Sequence, residues 1–135
     1  MAAWVDSIAL QPSPTAAADA RRFVRRALGR LPAAPRPPGA VWLGDDLLVA
    51  ANELITNAIV HARTEFTLTV ACDAAGIVRV SVTDYNTRRP DAHDVPRDAT
   101  SGRGLSMIAG LGLRWGIDAV DGGKVVWTEG DLTHG

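Results

Sequence analysis

Apolar side chains recur at nearly every second position in the stretch WVDSIAL (4–10), the period of a half-buried strand, and the turn-prone QPSPT (11–15) closes it. The period then lengthens. From about Ala16 to Leu31, Phe23, Val24, Ala27, Leu28 and Leu31 gather on one side, which predicts a helix with Thr15 placed to cap it. The segment PAAPRPPGA (32–40) contains five prolines and glycines and reads as a loop. A longer helix is expected from about Trp42 or Asp45 to Ala62. There Leu47, Leu48, Ala51, Leu54, Ile55, Ala58, Ile59 and Ala62 form a continuous apolar face. Period-2 alternation returns in FTLTVAC (66–72) and IVRVSVTD (77–84), joined by DAAG as a hairpin.

The sixteen residues 85–100, YNTRRPDAHDVPRDAT, are polar and aperiodic, which is long for a loop in a small domain and points to function or disorder. SGRGLSMIAGLG (101–112) opens on spaced glycines and continues as a short helix. Two last strands, about 113–119 and 124–130, are joined by VDGG. The order β-α-α-β-β-α-β-β predicts a single α+β domain spanning 1–135. It is expected to be a two-layer sandwich with a mixed, largely antiparallel sheet and helices on one face.

Composition narrows the functional classes. The chain has 135 residues, 47% hydrophobic and 21% charged, enough for one domain with a sizeable core. Its net charge of −1 gives no overall footprint for nucleic acid or a membrane surface. Cys72 stands alone, and His61, His93 and His134 have no metal-ligand spacing. No stretch is long and apolar enough for a membrane helix, and the first residues do not resemble a secretory signal, so a cytoplasmic location is expected. Lys124 is the only lysine; the other thirteen of the 14 basic residues are arginines. Five of those, Arg21, Arg22, Arg25, Arg26 and Arg30, line the outer side of the first helix, as a solvated face or a docking surface for an acidic partner.

Four local features carry candidate chemistry. Glu53, Asn57 and His61 follow one another at four-residue spacing along the flank of the long helix, although an interior asparagine competes with the helix for backbone hydrogen bonds. Asp84 ends an apolar strand. The polar loop follows it. SGRGL (101–105) is a glycine-flanked turn opening a helix, where backbone amides and the positive helix end favour phosphate. Each has an ordinary explanation when taken alone: surface decoration for Glu53 and Asn57, turn chemistry for Asp84, a simple turn for the glycines.

Taken in order, ELITNAIVHA, VTDYNTRRP, SGRGLSMIAGLGLRWGI and GGKVVW resemble the successive boxes of the GHKL ATPase superfamily, the histidine-kinase-like ATP-binding fold. Within it the chain is most similar to the anti-sigma factor serine/threonine kinases in their short actinobacterial form. The resemblance extends from about residue 15 to 130. It implies ATP and Mg²⁺ as cofactors, Glu53 as general base, and Asn57 as an oxygen ligand of the metal. It further implies that Asp84 accepts a hydrogen bond from the adenine amino group. Gly102 and Gly104, with Leu105 in the same turn, would approach the phosphates, under residues 85–100 as a lid. Arg103 either reaches a phosphate or points to solvent, and His61 supports the helix flank. The expected partners are a sigma factor and an anti-sigma-antagonist protein. A homodimer through an edge strand or the basic helix is compatible with the sequence.

The chain departs from the family pattern at three places. Asn86 and Arg88 stand where the first glycine box has glycines. Asparagine tolerates positive φ, whereas arginine keeps the backbone from a ligand but brings a guanidinium. Val125 stands where the family often has a threonine beside the adenine, in G-K-T-V-W. These departures favour an alternative: a module on the same fold that binds nucleotide weakly or not at all and regulates by sequestering its partner.

Overall fold

The computed structural model describes residues 3–32, 43–62, 64–85, 108 and 110–132. Five strands form one sheet: β1 (Trp4–Leu10), β2 (Phe66–Cys72), β3 (Ile77–Asp84), β4 (Arg114–Val120) and β5 (Gly123–Asp131), in the order β1-β2-β3-β5-β4. All four pairings are antiparallel, so the parallel pair of a mixed sheet does not occur among the described strands. Because β5 lies between them, β3 and β4 run in the same direction. The end of β3 and the start of β4 therefore lie at opposite ends of the sheet.

Tight turns fix the registers. Between β2 and β3, the Asp73 carboxylate accepts hydrogen bonds from the amides of Ala75 and Ile77 at 2.9 and 3.0 Å, and Gly76 takes a φ of 93°. Between β4 and β5, Val120 pairs with Gly123 across a two-residue Asp121–Gly122 turn, with Gly122 at φ 78°.

Directly paired residues share a face of the sheet. Trp4, Ile8 and Leu10 of β1 therefore point the same way as Phe66, Leu68, Val70 and Cys72 of β2 and Val78, Val80 and Val82 of β3. This side is covered by α1 (Ala16–Leu28) and α2 (Leu43–Asn57), whose buried stripes include Ala20, Val24, Leu47, Leu54 and Ile55. The opposite side carries Ser7, Thr67, Thr69, Ser81 and Thr83, together with an aromatic-ionic cluster. The Arg79 guanidinium stacks 4.2 Å from the centroid of Trp127, and both Arg79 and Arg114 pair with Glu129 at 3.1 Å. Trp127 donates its indole N–H to Asp118 at 3.1 Å.

Three helix-end expectations change. Thr15 occupies the N-cap position without a side-chain cap; its hydroxyl lies 3.3 Å from that of Ser13, and its carbonyl takes the amide of Asp19. The first helix stops at Leu28 rather than Leu31, because the amides of Arg30 and Leu31 bond three residues back in a tighter turn. Leu31 nevertheless stays buried. The second helix is α-helical only to Asn57 and continues as a π-helical turn, Ala58–Ala62. Of the expected loop 32–40, residues 33–40 lie outside the described residues. Of the expected short helix, Ile108 and Gly110 are helical.

Candidate nucleotide-binding site

Asp84 ends β3 on the helix-covered side of the sheet. Its register partners are Phe66 on β2, wholly buried, and Lys124 on β5. Only 3% of the Asp84 side chain is exposed, and the Lys124 ammonium lies 4.0 Å from its Oδ2. A charge this far from solvent requires a counter-charge or hydrogen bonds, and Lys124 supplies the former. The backbone here is drawn unusually close: a Cβ on Gly123 would overlap the Asp84 carbonyl and crowd the Cα of Tyr85. After Asp84 the chain is held by the Tyr85 amide, which donates to the Thr64 hydroxyl at 3.3 Å. The Tyr85 hydroxyl also meets that of Thr67 at 3.0 Å.

That hydroxyl contact at Thr64 locates the end of the long helix. Thr64 follows the π-helical turn, so the C-terminal end of α2 and the Asp84 end of β3 arrive at the same end of the sheet. The flank can be located as well. The Leu43 and Leu113 side chains close over Gly130 of β5, where a Cβ would collide with both. Leu43, Ala50 and Asn57 follow at seven-residue intervals, two helical turns each, so Asn57 continues the Leu43 column on the β5–β4 flank. Glu53 lies one turn before it. Both are half-buried, off the core stripe, as the sequence pattern places them. The four-residue stripe holds in α geometry as far as Asn57; the π turn then changes the spacing before His61, whose side chain lies outside the described residues.

On the same flank, seven residues before Glu53, stands Asp46. Burial, and secondarily the neighbouring Asp45, push its carboxyl above the usual carboxylate range. On the opposite flank Asn52 buries its Oδ1 with no hydrogen-bond partner among the described residues.

The register corrects one expectation. Val125 pairs with Thr83 on β3 and Asp118 on β4, so it lies on the side of the sheet away from the helices, not beside Asp84. The residue that shares Asp84's side is Lys124. Sequence alone did not reveal this pairing, since β3 and β5 are forty positions apart and a one-residue slip exchanges the two faces. Its single legible trace was the lone lysine in an arginine-rich chain.

Asn86, Arg88, Gly102, Arg103, Gly104 and Leu105, and with them the proposed lid from residue 86 onward, lie outside the described residues. Glu53, Asn57 and Asp84 are thus the expected site residues that are placed, on two elements meeting at one end of one face. Among the described residues no three His, Cys, Asp or Glu side chains gather into a metal cage. A single amide oxygen such as that of Asn57 suits Mg²⁺, which retains waters and is held largely through nucleotide phosphates. A buried carboxylate at a strand end suits the amino group of adenine, since an ionised carboxylate only accepts hydrogen bonds.

No helix among the described residues is long and apolar enough to cross a membrane. A comparison with curated proteins finds no match. The family model of the histidine kinase-like ATPase domain, however, matches residues 10–129, which takes in everything from the end of β1 through both helices and the Asp84–Lys124 pair to nearly all of β5. Its span, together with the five-stranded sheet carrying two helices on one side, shows that the chain belongs to the histidine kinase-like ATPase domains.

Proposed function

We propose that this ATPase-family domain is an anti-sigma regulatory protein, a Mg²⁺-ATP-dependent serine/threonine kinase acting on an anti-sigma-antagonist protein. The observation that supports the reading is the joint placement of Glu53 and Asn57. Both stand on the α2 flank turned to the β5–β4 side, on the helix whose end meets Asp84. Bound Mg²⁺-ATP supplies the phosphoryl group and the positive charge that stabilises its transfer. Asp84 accepts a hydrogen bond from the adenine amino group and sets the depth of the base. Asn57 offers its amide oxygen to the metal. With nucleotide bound, Glu53 would take the proton of the attacking serine or threonine hydroxyl as that hydroxyl's oxygen bonds to the γ-phosphorus and the bond from the γ-phosphorus to the bridging oxygen breaks, with ADP leaving. The phosphate gained by the antagonist weakens its hold by charge repulsion and desolvation, and the kinase is then free to hold its sigma factor inactive.

The test is transfer from γ-labelled ATP to purified candidate antagonists. The reading expects label on serine or threonine with wild type. It expects a loss of about 100-fold or more in Glu53→Ala, the scale of general-base catalysis, with partner binding intact. Equal transfer by both proteins would contradict the role of Glu53.

A second reading, partner sequestration without catalysis, draws on Arg88 at a family glycine position. Val125 no longer supports it, since that residue lies on the other side of the sheet. Partner binding with no transfer from wild type would favour it.

A further inference from the structure

We propose that Lys124 is a second base-reading residue of the nucleotide site. Its ammonium donates a hydrogen bond to the adenine ring nitrogen flanking the amino group that Asp84 holds, N1 on one side or N7 on the other. The inference rests on the assignment of Asp84 to that amino group.

Three observations carry it. Lys124 pairs directly with Asp84 across β3 and β5, so both side chains leave the same side of the sheet at the same level. The ammonium stands 4.0 Å from Oδ2, beyond hydrogen-bonding range, and 20% of the lysine side chain is exposed. The charges are therefore close enough to attract, yet the ammonium is not spent on a hydrogen bond to the carboxylate and keeps its donors for another acceptor. On its other side Lys124 pairs with Ala119, exposed and bearing a single methyl, so no bulky β4 side chain fills that side of the ammonium.

The residue type matters. In a chain with thirteen arginines, the one lysine stands here. An arginine fork would engage both carboxylate oxygens at once, whereas an ammonium is a compact point charge with three rotatable donors. A carboxylate and an ammonium side by side present an acceptor beside a donor. Adenine offers the complement, an amino donor beside a ring-nitrogen acceptor. Asp84 alone would recognise the amino group; the pair recognises the edge.

The test compares equilibrium dissociation constants, by calorimetry, for ATP, 1-deaza-ATP and 7-deaza-ATP on wild type and Lys124→Met. Wild type is expected to bind one of the two analogues roughly 10- to 100-fold more weakly than ATP, the range of a hydrogen bond to a charged group. Lys124→Met is expected to bind ATP more weakly by a similar factor and that analogue as well as ATP. If wild type binds both analogues as tightly as ATP, or if the penalty persists undiminished in Lys124→Met, the inference is overturned and Lys124 only holds Asp84 in place. Should Lys124→Met not fold, Lys124→Gln carries the same test with the charge removed: a smaller penalty supports the inference, an unchanged one overturns it. Failure of wild type to bind ATP at all would instead overturn the nucleotide reading on which it rests.

Discussion

Two regions of the same sheet face behave differently. In the middle of the sheet, β2 is sealed: Phe66, Leu68 and Val70 are wholly buried, as are Ala20 and Val24 of α1. At the β5–β4 end, Lys124 and Val126 are half-buried, Ala119 is exposed and Trp115 is 36% exposed. Both regions have the same strand geometry and nearly the same alternation. The difference is cover, for α1 lies across the first two strands and α2 across β3 and β5, leaving β4 without a described helix above it. Among the described residues the second layer stops there, which leaves room for a ligand. That is also where the polar flank of α2, Asp84 and Lys124 meet.

If this contrast is correct, substitutions in the filled half should cost stability, and those at the open end should cost binding. The largest effect is expected from Phe66→Ala. Removing a wholly buried ring should lower the unfolding free energy by about 3–5 kcal/mol in urea titrations. Asp84→Asn, next to it in register, should act on binding. Replacing the charged acceptor by an amide that also donates should weaken ATP binding by about 2 kcal/mol, roughly 30-fold, measured by calorimetry. Thr128 sharpens the boundary between the halves, since it is wholly buried on β5 and donates its hydroxyl to the Arg114 carbonyl at 2.9 Å. Thr128→Val should cost about 1 kcal/mol of stability and leave the ATP dissociation constant unchanged. Smallest is Arg79→Ala on the far side of the sheet. Losing its stacking on Trp127 and its pair with Glu129 should cost under about 1 kcal/mol, with no effect on nucleotide.

What the sequence made legible follows the same division. Residues 66–72 and 77–84 alternate because one side of each strand is buried, residues 4–10 alternate more loosely where one side is only half-buried, and the observed bounds of all three match the pattern. Glu53 and Asn57 stand out because they interrupt an apolar helix. Helix ends were less legible, as at Thr15, whose backbone carbonyl rather than its side chain serves the helix start, and at Ala58, where a π turn replaces the α spacing without a local signal. The Asp84–Lys124 pair escaped for a different reason. It depends on the register of two strands whose paired residues lie forty positions apart, and no local pattern carries that information. The need for Gly123 was hidden likewise, since it comes from the carbonyl of a residue thirty-nine positions earlier.

The central claim, that the open end of this face is a metal-nucleotide site served by Asn57, is tested most directly by thermal melting with and without Mg²⁺-ATP, on wild type and Asn57→Ala. With ATP at 100 times its dissociation constant, wild type should gain about 2.7 kcal/mol and melt several degrees higher, and Asn57→Ala should lose most of that shift. An equal shift in both proteins would remove Asn57 from the site, and no shift in wild type at millimolar Mg²⁺-ATP would contradict the account.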